Sequence, residues 1–505
     1  MARLEAQTET QFETRFEPKR GCTALHRVEL PRSTDLLSAA DRLQADCYPW
    51  LLDSALTDSR LGRSSFAGSD PYLVVRAFGD RIELDCRRAV RPGWTVGRSV
   101  VEHDPLDVVR QLLPPPPPPD ASSDVALPFV GGAVGYWGYE LAQQIEPVRL
   151  HGWNDLGLAD LALLFVDRVL AVDHGEGRAF ALGLGFAGTA DAAARRARRA
   201  AEALAARVSG VGAAVAPAIP RRGRLLRTGP PASLEAHFDE SGYAKAVTSI
   251  LEEIEAGNVY QADLTQRMDL PFAGDPWALY RRLRAINPAP FAAYLDLPEV
   301  QILSSSPERF VRVTPDGDVE SRPIKGTRPR GATPAEDARL EAELAGSEKD
   351  RAENLMIVDL VRSDLGRVCR VGSIEVPELM AIERYASVFQ MVSTVTGRLR
   401  PDRDATDLLR AAFPPGSMTG APKIAAMQIL DRLEPVRRGV YSGALGYLDV
   451  RGGADLSVVI RTLLVREGRA YLHVGGGIVA DSDPLAEYRE TLDKARALFA
   501  ALASA

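Results

Sequence analysis

The sequence predicts an α+β chain in two lobes, antiparallel sheets surrounded by helices, on three observations. From residue 25 to 110 short apolar runs alternate with turn residues, as half-buried strands do. Residues 209–232 are rich in Gly, Pro and Arg and read as a boundary. Beyond them helical periodicities alternate with strand-like runs, the signature of a larger mixed lobe. The division is therefore 1–232 and 233–505.

Along the chain, Tyr72-Leu-Val-Val-Arg76 and Arg81-Ile-Glu-Leu-Asp85 are strands of the first lobe. Six prolines, Pro114 to Pro119, join neither a helix nor an interior strand, so they mark a stiff exposed connector. The Ala/Arg-rich stretch Thr189 to Val208 is built of helix formers. Arg221, Arg222, Arg224 and Arg227 in the linker lack interleaved aromatics and read as solvated charge. In the second lobe helices are expected over 242–256, 336–346, 349–368, 404–412, 420–432 and 484–503. Strands are expected over 291–297, 300–304, 388–398, 441–450, 455–466 and 469–475.

Composition removes several classes. A formal charge of -7 with 26% charged residues offers no general attraction to nucleic acid or to an anionic membrane, so an anionic ligand must be captured locally. Cys22, Cys47, Cys86 and Cys369 are scattered without a CxxC pair, against a disulfide framework or zinc site and in keeping with a cytoplasmic setting. The first twenty residues, with Glu5, Glu9, Glu13 and Glu17, have no apolar core, and the best apolar run, Leu161 to Val172, is broken by Asp167 and Arg168. Neither export nor a membrane span is expected. Of six histidines only His473 lies among the motifs below, so histidine-centred catalysis is not expected.

Three groups of residues carry chemistry. Asp350 and Glu353, and Glu487 and Glu490, are each three apart on one helical face, and two such faces offer hard oxygen ligands for magnesium or simply two solvated surfaces. Pro415-Gly-Ser-Met-Thr-Gly-Ala-Pro-Lys423 opens a helix and His473-Val-Gly-Gly-Gly-Ile-Val-Ala-Asp-Ser482 follows a strand; both can present backbone N–H groups to an anion or serve tight packing, and neither is a Walker or dinucleotide loop. In Ser321-Arg-Pro-Ile-Lys-Gly-Thr-Arg-Pro-Arg330 one lysine stands among three arginines. A lysine near other cations, or partly desolvated, has a depressed pKa and becomes a nucleophile; otherwise Lys325 is a counter-charge in an anion loop.

Taken in order, Ile324-Lys-Gly-Thr-Arg-Pro-Arg-Gly331, Asp350-Arg-Ala-Glu-Asn-Leu355, Gly416-Ser-Met-Thr-Gly-Ala-Pro-Lys423, Tyr441-Ser-Gly-Ala-Leu-Gly-Tyr447, Val459-Ile-Arg-Thr462 and Gly475-Gly-Gly-Ile-Val-Ala-Asp-Ser482 resemble the chorismate-utilising enzymes. Leu51-Leu-Asp-Ser54 and Gly131-Gly-Ala-Val-Gly-Tyr-Trp-Gly-Tyr-Glu140 look like segments of the aminodeoxychorismate and anthranilate synthase large components, so the likeness spans nearly the whole chain. It implies that family's two-lobed fold. Within the family, anthranilate- and salicylate-forming members carry an alanine-like residue where this chain has Lys325. The resemblance therefore implies para-amination of chorismate to 4-amino-4-deoxychorismate, a p-aminobenzoate and folate precursor, with Lys325 attacking C2 as the C4 hydroxyl leaves.

By the same resemblance Glu308 is the acid for that hydroxyl, Glu353 and Glu490 are direct magnesium ligands, and Asp350 and Glu487 assist them. Tyr441 and Arg461 clamp the enolpyruvyl carboxylate, Lys494 faces the ring carboxylate, and Ser417 approaches the ring. Gly326, Thr327 and Gly475, Gly476 and Gly477 complete an anion cradle. Gln261 stands where water-using relatives have a lysine base, and a glutamine cannot deprotonate water, which favours ammonia. Gln390 replaces a histidine of several relatives, and Asp263 a common asparagine. Leu52, Asp53 and Ser54 with Pro288 and Pro290 resemble a tryptophan pocket. No Cys-His-Glu glutaminase signature is present, so ammonia is expected from a separate glutamine amidotransferase subunit. The alternatives are anthranilate synthase component I, which Lys325 opposes, and a non-catalytic chorismate-binding relative, which has no need of a nucleophile, an acid and a metal site together.

Overall fold

The computed structural model describes residues 21–56, 61–119, 126–209, 229–385 and 388–503. The acidic start of the chain and the linker arginines lie outside the described residues. Two 12-stranded sheets, antiparallel in their pairings, form the frame. The first runs Cys22–Glu29, Arg178–Ala187, Arg168–Asp173, Ser64–Gly68, Trp50–Asp53, Phe291–Leu297, Val300–Ser306, Thr462–Arg466, Arg469–Ile478 and Gln261–Pro271, the last flanked by two short strands. The second runs Ile324–Pro329, Val388–Arg398, Asp318–Arg322, Arg309–Val313, Ala454–Val458, Ala444–Asp449, Gly132–Trp137, Leu161–Val166, Leu73–Phe78, Arg81–Cys86 and Gly97–Glu102. Glu375–Arg384 also pairs with Val388–Arg398.

Each sheet thus draws strands from both sides of residue 232: Trp50–Asp53 pairs with Phe291–Leu297, and Gly132–Trp137 with Ala444–Asp449. A cut of the chain at 232 would not separate the sheets, because the best partners of these strands are distant in sequence. The sheets share one core, in which Phe66 of the first meets Tyr447 of the second edge to face at 5.8 Å. Each such fully buried side chain contributes about 2 kcal/mol. Helices Leu36–Leu43, Ala190–Val208, Pro276–Ile286 and Pro484–Leu502 cover the other face of the first sheet around a second core.

Several segments depart from the sequence reading. The expected strand 455–466 is two strands, Ala454–Val458 and Thr462–Arg466, lying in different sheets. The chain crosses over at 459–461, where Arg461 adopts a φ of 52°, a break that the strand-like residues on both sides conceal. The same kind of crossing occurs between Ser306 and Arg309 and carries Glu308. The proline run is extended, but Pro114 and Pro117 are buried while the other four are exposed, so one edge of it docks with the period of a threefold polyproline helix. The glycine run 475–477 lies inside the strand Arg469–Ile478 rather than after it. No helix of the described residues is long and apolar enough to cross a membrane.

Candidate active site

A cavity of about 680 Å³ opens where both crossovers, the first turns of Glu348–Gly366 and Pro484–Leu502, and the strand Ile324–Pro329 meet. It gathers Lys325, Glu308, Gly326, Thr327, Ser417, Tyr441, Arg461, Gly475 to Gly477, Lys494 and all four proposed metal carboxylates. Of the residues expected in the main site, Gln261 alone does not line it.

Lys325 is aimed by a break in its own strand. The register of Ile324–Pro329 on Val388–Arg398 shifts between Ile324 and Thr327, and Gly326 takes a φ of 87°. Such a bulge turns a side chain out of the ladder. A Cβ at Gly326 would also lie 2.9 Å from the Asp350 carboxyl carbon, so glycine is required there twice over. Lys325 Nζ donates to Asp263 Oδ1 at 3.1 Å, and its side chain is 11% exposed. The three flanking arginines turn elsewhere: Arg322 to Glu383, Arg328 to Glu343 and Asp350, Arg330 to Asp337. The expectation that cations depress the Lys325 pKa is therefore corrected. Burial lowers it, but Asp263, then Glu353 and Glu308, outweigh burial and hold it above its ordinary value.

Glu308 is buried, and burial pushes its carboxyl up to about 7; the Ser417 hydroxyl and the Lys325 charge oppose this only in part. Arg309, the nearest arginine in sequence, pairs with Asp455 and Glu320 instead. Glu308 therefore faces the cavity substantially protonated near neutrality, as an acid must.

The four metal carboxylates are not equivalent. Glu487 accepts from Lys349 Nζ at 3.3 Å and Ser482 Oγ at 2.7 Å, Glu490 pairs with Lys494 at 2.7 Å, and Asp350 accepts from Arg328 at 3.0 Å. Glu353 makes no hydrogen bond or ion pair among the described residues, and burial raises its carboxyl to about 7. Lys494 holds Glu490 below the ordinary carboxylate range. No three His, Cys, Asp or Glu side chains of the described residues form a ready-made metal cluster. A carboxylate without a partner on one helix facing Glu490 on another is nevertheless the donor set of a cation such as magnesium, which keeps waters and takes its remaining oxygens from substrate. The residues fit that ion; Asp350, held by Arg328, is the least available to it.

Tyr441 stacks on His473 with centroids 5.0 Å apart, and burial beside Arg267 and Arg438 keeps the His473 ring well below its ordinary pKa and neutral. Arg461 donates to the Lys494 carbonyl at 3.1 Å, and Lys494 to that of Gly475 at 2.9 Å. Thr462–Arg466 stops pairing at Leu472, so the far edge of 473–478 carries no ladder and its alternate N–H groups face the cavity side. Gly476 leaves room for Glu487 and Lys494: a Cβ there would sit 3.2 Å and 3.5 Å from their polar atoms. Gln261 lies behind Gly477, its Nε2 donating to both Asp263 oxygens at 3.3 and 3.2 Å. Gln390 lines the cavity opposite Thr327 in register.

Asp263 and Lys349 were not among the expected site residues. The first was legible as an acid one alternation from Gln261 on the same strand, the second as a lysine inside the acidic motif. Lys423 of the Gly-rich loop ties the loop to Asp364 and the Ala412 carbonyl, both at 2.8 Å, and does not reach the cavity.

A separate cavity of about 360 Å³ is lined by Leu52, Asp53, Ser54 and Pro290, but not Pro288. Asp53 is held there by Arg284 and by Tyr280 at 3.1 Å.

Residues 54–500 match the family model described as chorismate binding enzyme, and the chain belongs to that family. Among relatives it is 48% identical over 482 residues to an aminodeoxychorismate synthase of Streptomyces griseus and 44% over 494 residues to one of Streptomyces pristinaespiralis, covering 94% and 95% of this chain. It spans 64% and 65% of those two proteins' lengths. It is 40% identical to aminodeoxychorismate synthase component 1 of Klebsiella aerogenes, with 88% of this chain and 92% of that one covered. It is also 40% identical to anthranilate synthase component 1 of Mycolicibacterium smegmatis, with 95% and 90% covered. The crystal structure of anthranilate synthase component I from Streptococcus pneumoniae superposes with a TM-score of 0.68 at 29% identity, covering 86% of this chain and 92% of that one.

Proposed function

We propose that this chain aminates chorismate at C4 with ammonia, giving 4-amino-4-deoxychorismate. The observation that carries this reading is a lysine amine and a raised-pKa carboxyl, Lys325 and Glu308, facing one cavity. Overall identity alone does not choose between the two amination branches, since relatives of both names share 40% of this sequence.

The deprotonated Lys325 amine attacks C2, the ring double bonds shift, and the C4–O bond breaks as Glu308 hands its proton to the departing hydroxyl, releasing water. Ammonia then bonds to C4, the C2–N bond breaks to return the lysine amine, and Glu308 recovers a proton from the new C4 ammonium. Splitting one hard displacement into two is what covalent catalysis supplies. Arg461 and Lys494 supply positive charge for the two carboxylates of chorismate, and Tyr441 a hydroxyl. Magnesium, held by Glu353 and Glu490 with Asp350 and Glu487 beside them, would neutralise carboxylate charge and orient the substrate.

The name component 1 carried by one relative supports a separate ammonia-supplying subunit, which we take to be a glutamine amidotransferase, and four scattered cysteines without a CxxC pair fit the cytoplasmic setting we propose. The smaller cavity is proposed as the tryptophan site. The test is incubation of the purified protein with chorismate, magnesium and an ammonium salt, with products identified by mass and ultraviolet spectrum. Aminodeoxychorismate is expected; anthranilate or isochorismate would overturn the reading.

A further inference from the structure

Four acidic groups act on the Lys325 amine: Asp263 from Gln261–Pro271, Glu353 from Glu348–Gly366, Glu308 from the crossover and Glu490 from Pro484–Leu502. Asp263 is the one within hydrogen-bond distance, at 3.1 Å. It is buried and clamped on every side. Its N–H donates to the Thr419 carbonyl at 2.9 Å, its carbonyl accepts from Arg438 at 2.8 Å, and Gln261 Nε2 reaches both carboxylate oxygens. Gly477 packs directly against both groups: a Cβ there would lie 2.4 Å from Gln261 Nε2 and 3.1 Å from Asp263 Oδ1. A carboxylate fixed so rigidly gives the lysine one orientation and one proton acceptor.

We propose that Asp263 is the positioning residue of the lysine nucleophile and the acceptor of the proton that Lys325 must shed before it attacks. This deepens the reaction proposed above and rests on it. One proton passes from the Lys325 ammonium to the Asp263 carboxylate, leaving a neutral amine and a carboxylic acid. The amine forms its bond to C2 while Glu308 protonates the departing hydroxyl. When ammonia displaces the lysine, Asp263 returns its proton to the released amine and Glu308 is reprotonated by the new C4 ammonium. Chorismate and ammonia give product and water, and both carboxyls end as they began. Two acids divide the work: Asp263 serves the lysine nitrogen, Glu308 the oxygen and nitrogen at C4.

The isosteric variant Asp263→Asn keeps an acceptor for the ammonium but can neither hold the charge nor take the proton. The whole chain, without chorismate or magnesium, is treated with acetic anhydride across pH 6–10, and acetylation of Lys325 is followed by peptide mass spectrometry, with Lys325→Ala as the blank. Removing the facing charge releases the amine proton more easily, so Asp263→Asn is expected to acetylate Lys325 about tenfold faster at a fixed pH below its titration. Asp263→Ser, smaller and equally uncharged, must shift it the same way. In turnover with chorismate, kcat is expected to fall while KM holds, and the loss to shrink as pH rises, because Lys325 must then shed its proton to solvent. Wild-type protein that aminates chorismate while Asp263→Asn keeps the wild-type acetylation and pH profiles overturns this inference alone. Wild-type protein that does not aminate chorismate overturns the reaction and this step with it.

Discussion

The two cavities are built on the same pair of sheets, yet they differ in how completely their buried carboxyls are matched. In the smaller one Asp53 is matched by Arg284 and Tyr280, and Arg309 by Asp455 and Glu320. In the larger one Glu353 has no hydrogen-bond partner among the described residues, and Glu308 and Glu353 are both pushed up to about 7. Matched charge in a low-dielectric setting holds a fold together, whereas buried carboxyls only partly compensated are held ready for a substrate or an ion. The contrast separates residues whose loss costs stability from residues whose loss costs chemistry.

The largest effect is expected from Lys325→Ala, which should abolish amination in the chorismate assay even well below its melting point, itself lowered because buried Asp263 loses its counter-charge. Glu308→Gln should lower kcat by about 100- to 1,000-fold, the usual worth of a positioned acid. The same variant should be more stable than the wild type at pH 8. A carboxyl whose folded pKa lies at about 7 against an ordinary 4.5 binds its proton more tightly when folded. Its contribution to stability is complete below about 4.5 and lost as pH rises through 7, on the order of 3 kcal/mol by linkage. Urea melts at pH 5 and pH 8 check the sign, the gain for glutamine being confined to the higher pH. Wild-type activity that depends on this acid should likewise fall as pH climbs through about 7. Glu353→Gln should weaken magnesium binding by about 10-fold or more, read by calorimetry, because it removes the carboxylate that lacks a protein partner.

Much of this arrangement was legible in the sequence because its signals are local. The helix over Glu348–Gly366 brings Asp350 and Glu353 to one face, and Pro484–Leu502 does the same for Glu487, Glu490 and Lys494. What the sequence hid depends on partners far along the chain. The crossover at Arg461 lies between two strand-like apolar stretches that read as one, and the turn of Arg322, Arg328 and Arg330 away from Lys325 is decided by Glu383, Glu343, Asp350 and Asp337. The pairing of Lys325 with Asp263 spans 62 residues and two strands of different sheets. Nor does the Gly/Pro-rich segment near 232 say which strands pair across it, since strand partners are chosen by shape and register rather than by nearness along the chain.

The smallest effect on chemistry is expected from Asp53→Asn in the smaller cavity. Asp53 is buried at the end of Trp50–Asp53, and its carboxylate holds the Arg284 guanidinium and the Tyr280 hydroxyl. Replacing it with an amide leaves a largely buried guanidinium without its counter-charge, a loss of about 3 kcal/mol. Nothing in that pair touches the Lys325 cavity, so kcat for amination should stay within about twofold of wild type at a temperature well below the lowered melting point. Tryptophan titrated into the wild type by calorimetry should bind, and the variant should bind it more weakly, since Asp53 helps line the cavity. A variant that melts normally but loses amination would show that the two cavities are coupled through the strands they share, and that the division between structural and reactive charge does not hold across the molecule.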